Sequence, residues 1–69
     1  MITELSPRER ETVGLLAQGF SGKEIADRMG IGRYTVNEHL RKARRKLGAR
    51  NSLHVAVLFV REQLLSAHE

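Results

Sequence analysis

The feature that most limits the fold is a helix-start signal that occurs twice near the beginning of the chain. The segments SPRE at 6–9 and SGKE at 21–24 both follow the Ser-x-x-Glu pattern of a capping box, in which serine and glutamate satisfy each other's backbone N–H groups. Pro7 suits the first helical position. Gly19 and Gly30 are placed to end the two helices in a left-handed conformation. The chain must therefore begin with short helices joined by tight turns.

Apolar spacing extends this pattern to the rest of the chain. Residues 30–32, Gly-Ile-Gly, break the second helix and allow a third to begin. The third helix carries an apolar stripe at i, i+4, i+7 and i+11: Val36, Leu40, Ala43 and Leu47. No segment has the alternation of a strand. We expect one all-α, four-helix domain over residues 1–69, with helices at about 7–18, 22–29, 33–47 and 53–65.

The fourth helix is apolar on two sides. We expect Ser52 to be its N-cap. One face carries Val55, Ala56 and Phe59, and the roughly opposite face carries Leu53, Val57, Val60 and Leu64. A helix with two apolar faces needs two partners, which we take to be the body of the domain and a second copy of the chain. The pattern favours the Leu53, Val57, Val60 and Leu64 face as the dimer interface, although either face could be the outer one.

Positive charge is concentrated in one segment. Residues 33–50 contain seven basic residues and one acidic residue, a net charge of +6, whereas the remainder of the chain sums to −2. An ordinary solvated helix face would interleave acidic residues with the basic ones. The excess is the electrostatic footprint of a protein that binds a polyanion.

Composition argues against other classes of function. The chain has no cysteine, and its three histidines are too scattered for a metal site, so we expect neither a metal nor a cofactor. No nucleophile and base form a catalytic constellation, which argues against an enzyme. No apolar run approaches the roughly 20 residues of a membrane span, and the N-terminus lacks a signal peptide. We therefore expect a cytoplasmic protein with no membrane partner.

The third helix has the chemistry of a helix that reads DNA. A short helix, a glycine-containing turn and a second helix with polar groups opposite its apolar stripe meet the requirements of a helix-turn-helix motif. Asn can pair with adenine, Arg with guanine, and Glu can accept from the cytosine amino group. Asn37, Glu38 and Arg41 are the candidates for contact with base edges in the major groove of double-stranded DNA.

The order of these features resembles the DNA-binding domain of the LuxR/GerE family of bacterial transcription regulators. The resemblance rests on LSPRERE, GFSGKEIA, TVNEH and RKLG, covering Leu5 to about Asn51, with LHVAVLFVREQLL similar to the family's fourth helix. It implies a four-helix domain that binds an inverted repeat as a homodimer, with the two fourth helices in contact. It also implies that the protein acts in the bacterial cytoplasm, at the nucleoid. It agrees with base contacts from the three candidates above.

Phosphate contacts follow partly from the resemblance and partly from the helical projection. The resemblance implies contacts from Lys23, Thr35, His39 and Lys46, and the exposed side and flank of the helix add Tyr34, Lys42 and Arg45. His39 could instead be a partly buried residue that bridges two helices. The chain departs from the family at Gly32, where a Ser is frequent, at Ser52, where an Arg is frequent, and at Tyr34, whose site is usually small or charged.

Two alternatives remain open from the sequence. The chain also resembles region four of sigma factors, which acts within a polymerase and does not need a two-faced fourth helix. It could also be a protein-interaction module whose basic face meets an acidic partner. RNA polymerase is a further partner that a transcription regulator could contact. The chain contains neither a receiver nor a ligand-binding domain, so we expect a free-standing regulator or the C-terminal part of a longer one.

Overall fold

Four helices make up most of residues 4–67, the part of the chain that the computed structural model describes. They are α1 (Pro7–Ala17), α2 (Gly22–Met29), α3 (Arg33–Leu47) and α4 (Ser52–Ala67), with no strand in the described part. The all-α fold expected from the sequence is confirmed. Helix α1 ends one residue earlier than expected, and α4 begins one residue earlier and ends two residues later. Residues 1–3 and 68–69, the ends of the expected domain, lie outside the described residues.

Both predicted capping boxes are present. The Ser6 hydroxyl accepts a hydrogen bond from the Glu9 N–H at 3.1 Å, and the Glu9 carboxylate accepts one from the Ser6 N–H at 3.0 Å. The corresponding distances between Ser21 and Glu24 are 3.2 and 2.8 Å. Each box satisfies N–H groups that have no intrahelical acceptor, so it fixes where the helix begins.

The predicted N-cap of α4 was wrong. Asn51, not Ser52, caps this helix: its side-chain oxygen accepts from the His54 N–H at 2.8 Å, and its carbonyl accepts from the Val55 N–H at 3.1 Å. His54 Nδ1 in turn accepts from the Arg50 N–H at 3.0 Å. An Asn oxygen reaches the third helical N–H as well as a Ser hydroxyl does, so two adjacent cap formers left the boundary ambiguous.

Helices α2 and α3 both end at a glycine that is followed by an apolar residue. Gly30 and Gly48 have φ of 68° and 64°, a region that side chains disfavour. The next residue donates its N–H to the carbonyl five positions earlier, Ile31 to Ala26 at 3.1 Å and Ala49 to Arg44 at 2.9 Å. This Schellman arrangement turns the chain sharply and directs the apolar residue back toward the core.

The core consists of two apolar clusters, and α3 contributes to both. One cluster joins α1, α3 and α4, and the other joins α1, α2 and α3, with Leu40 packed against each of them. Val36, Ala43 and Leu47 of the predicted stripe are buried. Because two clusters hold one side of α3, its opposite side must face solvent.

Helix α4 packs on the body of the domain through one face only. Val55 is fully buried, and Phe59 packs against the same cluster with its ring 3.8 Å from the position that a Cβ on Gly14 would occupy. The other face is exposed, with 74% of Leu53 and 60% of Leu64 accessible to solvent. The structure therefore decides which face points outward: the one that contains Leu53, Val57, Val60 and Leu64.

The packing at Gly14 predicts a stabilising substitution. A Cβ there would meet Phe59 at 3.8 Å, which is ordinary van der Waals contact, and alanine favours the interior of a helix. Gly14→Ala should raise the free energy of unfolding by about 0.5 to 1 kcal/mol, measured by urea denaturation. Gly30→Ala is the matched control and should lower it, because Gly30 has a positive φ. A loss of stability in Gly14→Ala would show that the contact with Phe59 is misplaced.

Candidate nucleic-acid interface

Helix α3 carries half of the twelve Lys and Arg residues of the chain, and all six are exposed. We define the basic surface of α3 as its exposed cations: Arg33, Arg41, Lys42, Arg44, Arg45 and Lys46. Three of these cations, Arg44, Arg45 and Lys46, lie in the last turn, where they also complement the negative end of the helix dipole. Glu38 is the single acidic residue of α3, so the surface has a strong positive potential.

The three predicted base readers lie on this exposed side. Asn37 and Arg41 are exposed, and Glu38 is half-buried. An Arg41 Nη2 donates to Glu38 Oε1 at 2.7 Å, so two of the three are bound to each other in the free protein. The hydrogen bond from Arg41 is the main cause that lowers the pKa of Glu38, with the charges of Arg41, Lys42 and Arg45 adding to it.

The Glu38–Arg41 pair limits what either residue can do alone. A guanidinium held by a carboxylate one turn away has fewer rotamers to lose when it binds a base. A cytosine amino group would have to share the Glu38 carboxylate with Arg41. The geometry favours Glu38 as the group that orients Arg41, and its own base contact stays a prediction.

The structure places the predicted phosphate contacts in three environments. Lys23 is exposed on the first turn of α2, and α3 presents the exposed residues Tyr34, Thr35, Lys42 and Arg45. His39 is half-buried, and its charge is one of those that lower the pKa of Glu9 on α1. A role of His39 in bridging two helices stays a prediction. Phosphate contacts from these residues stay predictions.

Lys46 has a partner that sequence reasoning did not anticipate. Its Nζ donates to Glu9 Oε1 at 2.8 Å, which joins the last turn of α3 to the first turn of α1. The Glu9 side chain is 5% exposed and the Lys46 side chain 38% exposed. Burial raises the pKa of Glu9, but the hydrogen bonds from Lys46 and Ser6 and the nearby positive charges outweigh it, so the pKa is lowered overall.

Sequence reasoning also missed a polar contact between α1 and α2. Thr12 is fully buried, its hydroxyl donates to the Arg8 carbonyl at 2.8 Å, and it lies 3.3 Å from the sulfur of Met29. Arg8 also donates to the Met29 carbonyl at 3.4 Å. Glu9 had one sequence signal, because it is the glutamate of the capping box predicted at 6–9. No comparable signal marks Thr12.

The part of the chain that the structure describes has neither a cluster of metal ligands nor a helix suited to cross a membrane. Between residues 4 and 67, no group of three His, Cys, Asp or Glu side chains is arranged to hold a metal ion. No helix in that part of the chain is long and apolar enough to span a membrane.

Comparison with known proteins decides the family. Residues 3–59 match the family model of the bacterial regulatory proteins of the luxR family. The chain belongs to this family. Helices α2 and α3 are therefore the helix-turn-helix of a transcription regulator's DNA-binding domain. The family consists of regulators and is not an enzyme family.

Individual relatives are also named as transcriptional activators or response regulators. The chain is 42% identical over 64 residues to the transcriptional activator protein BjaR1 of Bradyrhizobium diazoefficiens, a match that covers 93% of this chain and 26% of that protein. It is 37% identical over 59 residues to the nitrate/nitrite response regulator protein NarP of Escherichia coli, covering 86% of this chain and 27% of that protein. The protein NarL of the same species is 33% identical over 63 residues, covering 91% and 29%.

The chain thus spans about a quarter of the length of these relatives. No solved structure is similar enough to count as a match.

The buried end of the Glu9–Lys46 pair predicts an acid-sensitive stability. Because the pKa of Glu9 is lowered in the folded state, its stabilisation is complete above the unfolded-state pKa and is lost as pH falls through the folded-state pKa. Glu9→Gln should cost about 1 to 2 kcal/mol at neutral pH, a value reduced by the solvent exposure of Lys46. Its stability should then fall less than that of the wild type on acidification, measured by urea denaturation.

Glu11→Gln is the control for this comparison. Glu11 pairs with Arg8 at 3.1 Å, but both side chains are about half exposed, so its loss should change stability by less than about 0.5 kcal/mol. Parallel pH curves for the wild type and Glu9→Gln would contradict the assigned role of Glu9.

Proposed function

We propose that this domain is a sequence-specific reader of double-stranded DNA that inserts α3 into the major groove and binds an inverted repeat as a homodimer through α4. Asn37 and Arg41 contact base edges, and Glu38 orients Arg41. Lys23 and the cations of the basic surface other than Arg41 and Lys46 lie along the phosphates. The protein acts in the bacterial cytoplasm at the nucleoid. A contact with RNA polymerase stays a prediction.

The observation that carries the proposal is the division of α3 into a buried side and a polar, basic side. Two apolar clusters hold the stripe of Val36, Ala43 and Leu47, so the helix cannot rotate without exposing it. Asn37 and Arg41, four residues apart, then project together from the opposite side. The major groove admits one helix, and these residue types match the edges of adenine and guanine.

The exposed face of α4 supports a dimer. Five large apolar side chains remain exposed along this helix: Leu53, Val57, Val60, Leu64 and Leu65. A contiguous apolar surface of this kind on a small domain marks an interaction site. A two-fold contact between copies would bury it and place the two α3 helices on half-sites about one helical turn apart.

Selection from a random duplex library at near-physiological salt tests this function. The proposal predicts enrichment of an inverted repeat whose half-sites are about 10 base pairs apart, centre to centre. Recovery of a single, unrepeated element would favour the mode expected of a sigma-factor region-four domain. Failure to enrich any sequence, with Kd no better than about 10⁻⁴ to 10⁻⁶ M, would favour a basic module that meets an acidic protein partner.

Arg41 and Arg45 should differ in what they contribute. Arg41→Ala should lose discrimination at one base position at a cost of roughly 1 to 3 kcal/mol, because a bidentate base contact is removed. Arg45→Ala should weaken binding to all duplexes alike and reduce the slope of log Kobs against log salt by about 0.9 per subunit. Fluorescence anisotropy with the selected duplex and its single-base variants measures both. Equal losses on all duplexes for Arg41→Ala would contradict its role as a base reader.

The apolar face of α4 should control assembly on DNA. Leu64→Glu places a charge in the proposed dimer contact and should weaken binding to the inverted repeat by about a hundredfold, because avidity is lost. Gln63→Glu is the control, with the same new charge on an exposed position beside the apolar row. Analytical ultracentrifugation should show two chains per duplex for the control. Two chains per duplex for Leu64→Glu, at unchanged affinity, would place the dimer contact elsewhere.

A further inference from the structure

One oxygen of the Glu9 carboxylate connects the first turn of α1 to the last turn of α3. Glu9 Oε1 accepts from the Ser6 N–H at 3.0 Å and from Lys46 Nζ at 2.8 Å. The first contact belongs to the capping box of α1, and the second reaches the last turn of α3, 37 residues along the chain. The start of α1 therefore holds the end of α3 through a nearly buried carboxylate.

We propose that Lys46 is a positioning residue of the DNA-binding surface: with Glu9 it fixes the orientation of α3 on α1, and its charge is committed to Glu9 and not to a DNA phosphate. This inference rests on the proposed function of α3. It takes the place of the sequence-based expectation that Lys46 contacts phosphate.

The cost of separating the pair argues for this role. Glu9 is 4% exposed, and a buried carboxylate that loses its cation is strongly destabilised. If Lys46 turned away to a phosphate, Glu9 would keep only the Ser6 N–H as a hydrogen-bond donor among the described contacts. Lys42, an exposed cation one turn earlier on α3, can reach a phosphate without leaving a buried partner.

Because Lys46 lies on the same rigid helix as the proposed base readers, a shift of α3 at Lys46 also moves them. Asn37 and Arg41 lie nine and five residues before Lys46, which is about 13 and 8 Å along the helix axis. The apolar clusters fix which side of α3 is buried, and the charge-assisted hydrogen bond from Lys46 adds a directional contact at the end of the helix. A small tilt at the end of α3 would misplace side chains that need bidentate geometry with a base.

The test compares Lys46→Met with Lys42→Met, which removes the same charge from the same helix. Affinity is measured for the inverted repeat recovered by selection and for a mixed-sequence duplex of equal length, over a range of salt concentrations. All measurements are made at a temperature where circular dichroism shows each variant to be fully folded. Three quantities result for each variant: affinity, salt slope, and the ratio of the two affinities, which is the discrimination.

We expect opposite results for the two lysines. Lys46→Met should keep the wild-type salt slope. Its discrimination should fall by about fivefold, which lies in the range of interaction energies between residues in contact. Lys42→Met should reduce the slope by about 0.9 per subunit and keep the discrimination. Lys46→Arg, which can keep the pair with Glu9, should restore the discrimination.

Glu9→Gln supplies a second, independent variant. Glu9 carries no positive charge, so a loss of discrimination in Glu9→Gln cannot come from a lost phosphate contact. If Glu9→Gln does not fold, the comparison of the two lysine variants decides alone.

Two results would overturn the inference while leaving the proposed function intact. A reduced salt slope with unchanged discrimination in Lys46→Met would make Lys46 a phosphate contact. Unchanged affinity, slope and discrimination in folded Lys46→Met would give the pair a role in stability alone. A wild-type domain that does not discriminate between the two duplexes would overturn the proposed function, and the inference with it.

Discussion

The structure depends on the burial of one side of α3. A chain of 69 residues has little apolar surface to bury, and here both apolar clusters use the same helix. The remaining helices are arranged around that requirement: α1 and α2 pack on one part of the stripe, and α1 and α4 on the other. Because α3 packs into both apolar clusters, its outward side is held rigidly. A helix that must place side chains against base edges needs such rigidity.

Sequence reasoning found the local structure because local rules decide it. The two capping boxes and the apolar stripe of α3 depend on residues three or four positions apart, and those spacings can be read directly. Asn51 and Ser52 show the limit of these rules, since both can cap a helix and only the surrounding packing chooses between them. The outward face of α4 was also undecided, because a helix with two apolar faces does not reveal which one the rest of the chain covers.

The polar contacts between helices were out of reach of sequence reasoning. Glu9 and Lys46 lie 37 residues apart, and no spacing rule connects them. The charge count of the basic segment treated every cation as available to DNA. The structure shows that Lys46 is bound to a buried carboxylate and that Arg41 is bound to Glu38. The basic surface is therefore a mixture of cations with internal partners and cations free to face a polyanion, and only the fold distinguishes them.

Dimethyl sulfate footprinting on the selected duplex tests the central claim most directly, because this reagent reports guanine N7 in the major groove and adenine N3 in the minor groove. The account predicts protection of guanine N7 in two patches about one helical turn apart. In Arg41→Ala, the protection should be lost at the guanine that Arg41 contacts and kept elsewhere. Protection confined to adenine N3, or a major-groove pattern that Arg41→Ala leaves unchanged, would contradict the placement of α3 in the major groove.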